Sequence, residues 1–348
     1  MIVLIISNVS LTLFAQNNPV YIDHYYTQTI YPAIRLAQQT LFSWLPFSLA
    51  EICLVSFICL ITRIIYLCLK ELLALEDLTL LPSWIAKWIF LTLSLLLCLQ
   101  LCFTLCWGLN YYRPPLASLL NWQLPPPNKE ELLILAQDLI SQANKDRLQT
   151  YQNEQGLADL EKGLSPHLKL IWDDGVELQA KPVWFSSLMS YSMITGFYFP
   201  FTGEANINTN TPSYQQPATI AHEMAHQQGY AREDEANFIA WQQSQKSDVS
   251  VEFRYSGTML ALAHTLNAAA NVLTTEEYAS LWQLMTPEVD ADFVYSRQFW
   301  DNYRGPVKQA SEHINDIYLK MNNQQEGIAS YGRMVDLLLA ERLLVNQK

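Results

Sequence analysis

The apolar positions of the chain gather in three stretches before residue 108, and beyond them polar and apolar residues mix at helical and strand periods. Phe47–Leu69 (FSLAEICLVSFICLITRIIYLCL) carries only Glu51 and Arg63 as charges, and Trp84–Trp107 carries only Lys87. Each exceeds the roughly 20 residues that a helix needs to cross hydrocarbon. Arg63 and Lys87 stand off centre, where their side chains can reach the interface. Trp at both ends of the second stretch suits headgroup depth. Met1–Ala15 (MIVLIISNVSLTLFA) is shorter and has no Lys or Arg ahead of its apolar run. It reads as a short first span, with an atypical signal segment as the alternative. The expected membrane region is therefore 1–107, with spans at 1–15, 47–69 and 84–107.

Basic residues set the expected topology. Arg63, Lys70 and Lys87 surround the 70–83 loop, whereas Gln16–Pro46 holds only Arg35. Excess Lys and Arg marks the cytoplasmic side, so the loop lies inside and everything after Trp107 lies outside. The six cysteines (Cys53, Cys59, Cys68, Cys98, Cys102 and Cys106) all fall within the two long spans. There they act as small apolar residues, and no disulfide framework is implied.

After the last span, GLNYYRPPLASLLNWQLPPPN (108–128) reads as a stiff proline-rich connector. Lys129–Thr150 then places Leu132, Leu133, Leu135, Ala136, Leu139 and Ile140 along one helix face. Residues 182–187 (PVWFSS) and 197–210 (FYFPFTGEANINTN) read as short strands, being aromatic-rich and bounded by Gly and Pro. Helices are expected over 217–228, 232–246, 251–273, 275–285, 288–320 and 328–345. The fold expected for 129–348 is an α+β, helix-rich domain. From Gly108 on there are 17 basic and 28 acidic residues. That balance argues against nucleic acid as a partner and against close docking on anionic lipid heads.

The candidate chemistry lies in TIAHEMAHQQGYAREDEANF, residues 219–238. Pro217 suits the first turn of a helix and Gly229 the residue after its end. His222 and His226 are i and i+4, one above the other on a common face. One zinc ion at about 2.0–2.1 Å from each ring nitrogen can bridge them. Glu223 lies about 100° round the helix, placed to serve a water rather than to bind the metal itself. The metzincin pattern HExxHxxGxxH is followed as far as Gly229, but Arg232 stands where its last histidine belongs. Arginine offers no lone pair. A carboxylate must close the ligand set, and Glu233, Asp234 and Glu235 are the choices.

Glu233-x-x-Ala236-Asn237 resembles the Glu-x-x-Ala-Asp signature on the second helix of membrane-anchored gluzincins, as in thermolysin-like and CAAX-processing peptidases. The resemblance implies that Glu233 binds zinc and that Asn237 orients a ligand histidine. Glu235 is the alternative third ligand, because Glu233 follows His226 at unusually short spacing and Glu235 allows a longer reach back. Asn in place of Asp can hold an imidazole but adds no negative charge. Over nearly its full length the chain also resembles a family of bacterial membrane proteins defined by a domain of unknown function and grouped with the zincins. The stretches that carry this likeness are WGLNYYRPPL, GFYFPFTGEANIN, HEMAHQQGYAREDEANF and INDIYLKMNNQQEGIASYGRMVDLLLA. The family implies a membrane-anchored, zinc peptidase-like protein, although the first hydrophobic segment here is shorter than such proteins usually carry.

The expected function is hydrolysis of peptide bonds outside the cytoplasmic membrane, with one Zn²⁺ on His222, His226 and Glu233 and with Glu223 as general base. The lipid bilayer and a peptide or protein substrate are the expected partners. In zincins an edge strand upstream of the active helix pairs with extended substrate, which points to Phe197–Asn210. Tyr230, Tyr318, Tyr331 and Arg333 are candidate oxyanion donors that spacing does not separate. Glu204, at a turn, is expected to be solvated, and Asn206, Asn208 and Asn210 to form a polar strand face rather than a calcium site. Two other classes stay open: a zinc-binding sensor or assembly protein without proteolysis, and a zinc hydrolase of cell-wall amide links.

Overall fold

The computed structural model describes residues 1–124, 128–152, 169–171 and 177–346. Contacts divide the chain into two compact units, Met1–Arg113 with Phe199–Glu204, and Pro114–Tyr198 with Ala205–Lys348.

In the first unit Leu49–Leu73 and Leu81–Cys106 are helices long and apolar enough to cross a membrane. Their apolar side chains stay open, Leu54, Ile58, Ile65, Ile89 and Leu96 among them, a surface that a core helix would cover. Ile2–Asn17 forms a shorter apolar helix, and its Asn8 Nδ2 donates to Leu97 O at 3.1 Å. Residues 19–42, for which the sequence pattern set no element, are helical, with π-helical Ile22–Ile30 in the middle. The reason is a set of buried polar groups that must be paired. Asp23 meets Arg113 at 3.2 Å, Thr27 Oγ1 donates to Asn110 Oδ1, and Tyr26 OH donates to Leu105 O.

Glu204 is not solvated. It is buried, and its carboxylate accepts from the Leu49 and Ala50 N–H groups at 3.2 and 2.9 Å and from Thr202 Oγ1 at 2.8 Å. An anion there satisfies free donors at a helix N-terminus and complements its dipole.

The second unit is helix-rich with a small mixed sheet. Strands β1 (Lys169–Ile171), β2 (Glu177–Pro182), β3 (Gly196–Phe199) and β4 (Glu204–Ile207) lie in the order β1-β2-β4-β3. β1 runs antiparallel to β2, and β2 parallel to β4 with Ala180 opposite Ala205. The expected strand at 182–187 is instead a turn and a short helix, Ser186–Tyr191. Ser186 Oγ donates to Val183 O and starts that turn. Trp184, in the stretch read as a strand, is 72% exposed. The 197–210 stretch is a hairpin, closed where Gly203 adopts φ 69° and its N–H donates to Phe199 O.

Helices follow at Gln216–Gln227, Glu233–Ser244, Val251–Ala269 and Thr275–Gln283. The single helix expected at 288–320 is two, Pro287–Asp301 and Pro306–Met321. Pro306 disfavours helical backbone at Gly305 before it. The helix expected from 328 begins at Met334, after a 3₁₀ segment Gly327–Arg333. The core sits where Lys129–Gln152 packs along Val251–Ala269, with Leu132, Ile140, Ile220, Met224, Phe238 and Leu262 fully buried. Gly257 lets two of these helices touch, because a Cβ there would run into Ser244 Oγ. Truncating a core residue such as Leu262 to Ala costs about 2–5 kcal/mol.

Candidate metal centre

The first ligand helix, Gln216–Gln227, is buried along almost its whole length. Ile220, Ala221, Met224 and Ala225 fill the core, and the small residues allow close packing on both sides. The chain leaves the helix through Gly229, whose φ of 93° suits glycine. Glu233 then opens the second ligand helix, Glu233–Ser244, with Arg232 at its N-cap position.

This reversal brings three donor residues together. Glu233 Oε2 lies 3.2 Å from His222 Nε2 and 3.3 Å from His226 Nε2. Their ligand atoms fall within 4.8 Å of one another, and the two rings stand nearly perpendicular. His222 Nδ1 is 2.8 Å from Asn237 Oδ1, and His226 Nδ1 is 2.7 Å from the Tyr230 carbonyl. Asn237 Nδ2 faces the Tyr331 carbonyl, so its Oδ1 faces the imidazole. Both oxygens accept, so each ring donates from Nδ1 and turns its Nε2 inwards. Glu233 Oε2 is buried and receives no hydrogen bond. The two Nε2 atoms and Glu233 Oε2 thus converge on one point, and a His₂Glu donor set is one that could hold zinc.

Electrostatics agree with the geometry. Burial works to raise the Glu233 carboxyl, but the two imidazoles overcome it and hold the group well below its usual range. For His226 burial opposes the charged form, yet Glu233 lifts the ring to about 9 when no cation is present. Glu223 is raised, first by burial and then by Glu233, against the opposing pull of the imidazoles and the Tyr198 N–H that bonds it. Strand β3 presses on this carboxylate, since a Cβ on Gly196 would lie 2.8 Å from Glu223 Cγ and 2.9 Å from its Oε1.

The other expected site residues separate cleanly. Glu235 turns away from the imidazoles, and its Oε1 accepts from the Leu116 N–H at 2.7 Å. Asp234 pairs with Arg232 at 3.5 Å. Tyr230 contributes its carbonyl, and Arg333 binds Glu326 and Asp336. Tyr318 is exposed on Pro306–Met321. Of the four oxyanion candidates only Tyr331 brings its side chain to the centre, with its ring stacked 6.4 Å from that of His222. Asn206 and Asn208 are fully buried rather than on an open polar face, and Asn208 and Asn210 both donate to Ser190 Oγ.

The family model described as Protein of unknown function (DUF3810) matches residues 26–339. The chain belongs to that family. No curated protein and no solved structure matches it. The family span takes in both long apolar helices and every residue of the centre, from Gly196 to Tyr331.

Sequence reasoning missed three contributors. Gln324, 2% exposed, accepts from the Glu233 N–H at 3.2 Å and donates to Ala231 O at 3.4 Å. It thereby does for the second ligand helix what a capping side chain would do. Tyr198 acts through its backbone and Gly196 through its lack of a side chain, neither of which a motif search detects.

Proposed function

We propose that this protein is a membrane-anchored zinc metallopeptidase of the zincin type, acting on peptide bonds outside the cytoplasmic membrane. The observation that carries the reading is the convergence of His222 Nε2, His226 Nε2 and the buried Glu233 Oε2, with Glu223 buried alongside. A centre built only to hold metal needs no second carboxylate beside its ligands.

His222, His226 and Glu233 would hold the ion, which when bound supplies Lewis acidity and makes water a nucleophile near neutral pH. The chain's own residues do the rest. Glu223 accepts the proton of the attacking water and passes it to the leaving amine. Its raised pKa suits that exchange, because a carboxylate of too low a pKa would take up the water's proton poorly. Gly196, by lacking a side chain, lets β3 lie directly against the carboxylate. β3 ends the sheet order and lies against Glu223, where extended substrate would add along it. The two long apolar helices supply the anchor.

The test is metal content and peptide cleavage of the full chain in lipid nanodiscs. One zinc per chain together with cleavage of a peptide library supports the reading. Bound zinc without cleavage at any pH removes the peptidase assignment.

A further inference from the structure

Gln324 and Glu233 stand 91 residues apart in the chain and meet through one buried carboxamide. Gln324 Oε1 accepts from the Glu233 N–H at 3.2 Å, and Gln324 Nε2 donates to Ala231 O at 3.4 Å. A backbone N–H only donates and a carbonyl only accepts, so the amide has one orientation. It brackets Arg232 on both sides, and that residue is extended at φ −84° and ψ 136°. Arg232 closes the reversal between the two ligand helices, so its conformation decides where Glu233 falls relative to His222 and His226. Ser330 Oγ donates to the same Gln324 oxygen at 3.2 Å, and both residues are 2% exposed.

Gln324 is in turn held by its own backbone. Its N–H donates to Leu319 O at 3.0 Å, and its carbonyl accepts from the Gly327 N–H at 2.9 Å. Gly327 adopts φ 58°, and a Cβ there would run into Asp316 Oδ1. The same Asp316 oxygen accepts from the Ile328 N–H at 3.2 Å. A carboxamide fixed at its backbone and at its polar end can hold a position as well as satisfy a donor. We propose that Gln324 is a positioning residue of the metal centre, setting where the Glu233 carboxylate stands by fixing the backbone on both sides of Arg232. This inference rests on the metal reading above. It gives the turn around Gln324 a part in metal binding, although none of its residues belongs to the ligand set.

Capping and positioning separate by experiment. A side chain that only caps a helix end changes stability when lost, and the folded variant binds metal as before. A positioning residue, once lost, also weakens the metal and alters its coordination. Partners behind metal ligands typically count for about 10–100-fold in affinity. The full chain in nanodiscs is titrated with Co²⁺, reading both affinity and the visible absorption bands of the bound ion. Gln324→Met keeps the length of the side chain and removes its hydrogen bonds. It is expected to weaken Co²⁺ binding about tenfold or more and to shift the bands. Unchanged affinity and bands in the folded variant would overturn the proposal. Where Gln324→Met does not fold, Ser330→Ala decides, because it releases the Gln324 oxygen from one partner and leaves the carboxamide in place. It is expected to act in the same direction, and unchanged affinity and bands there would overturn the proposal equally. Wild-type protein that binds no Co²⁺ would instead remove the metal reading, and the proposal with it.

Discussion

Asn237 presents its carboxamide oxygen to His222 Nδ1 at 2.8 Å, one helical turn beyond Glu233. The amide does two things, of which a carboxylate could do only the first. Its oxygen fixes the His222 tautomer, and its nitrogen donates to the Tyr331 carbonyl at 3.3 Å. Replacing it by alanine should leave His222 free to turn and the Tyr331 carbonyl without its donor. Asn237→Ala is expected to weaken zinc binding by about 10–100-fold. Competition with a chromophoric chelator measures it, and an unchanged affinity would mean that His222 is oriented by something else.

Glu233 and Glu235 should behave oppositely. Glu233→Ala removes a donor atom and is expected to abolish stoichiometric zinc. Glu235→Ala should keep the metal, because its carboxylate serves the Leu116 N–H instead. It should lower stability by about 1–3 kcal/mol, the usual cost of a buried donor left unpaired. Metal analysis and denaturant unfolding of both variants decide the matter, and retained zinc in Glu233→Ala would reverse the assignment.

Gly196 should be intolerant for a local reason. A methyl group there meets Glu223 at 2.8–2.9 Å. Gly196→Ala is expected to cost about 1–3 kcal/mol of stability and to displace the general base without touching a metal ligand. Hydrolysis should fall while zinc content stays the same. Full activity in this variant would show that β3 does not position Glu223.

Metal binding should release a proton. Without metal, Glu233 lifts His226 from 6.5 to about 9, so the ring is charged at neutral pH. A raised value of this kind contributes stability that is fully present below pH 6.5 and is lost as pH rises through about 9. Zinc needs the neutral ring and displaces that proton. Calorimetric titration at pH 7.5 in buffers of different ionisation enthalpy should show roughly one proton released per zinc, vanishing near pH 10. No proton release at pH 7.5 would contradict the coupling between His226 and Glu233.

The sequence revealed the parts of this centre that depend on local spacing. His222 and His226 share a face because they are four apart, and the Pro217 and Gly229 limits of their helix follow from backbone preference alone. The choice among Glu233, Asp234 and Glu235 needed the angle between two helices, which Gln324 helps to set from 91 residues away. Such a contact leaves no trace in local pattern. Trp184 and Phe185 misled for a related reason, since aromatic content marks a strand only when the surface is half covered, and here both are exposed. Glu204 misled because a carboxylate at a turn is ordinarily solvated, and the free N–H groups of Leu49 and Ala50 that recruit it lie 155 and 154 residues earlier.

The most direct test of the central claim is a comparison of wild-type protein with Glu223→Gln, both full-length in nanodiscs, for zinc content and for peptide cleavage in parallel. A peptidase centre of the geometry described predicts one zinc per chain in both proteins, with cleavage in the wild type and its loss by at least about a hundredfold in the variant. Equal cleavage by the two proteins, or no zinc in either, would contradict it.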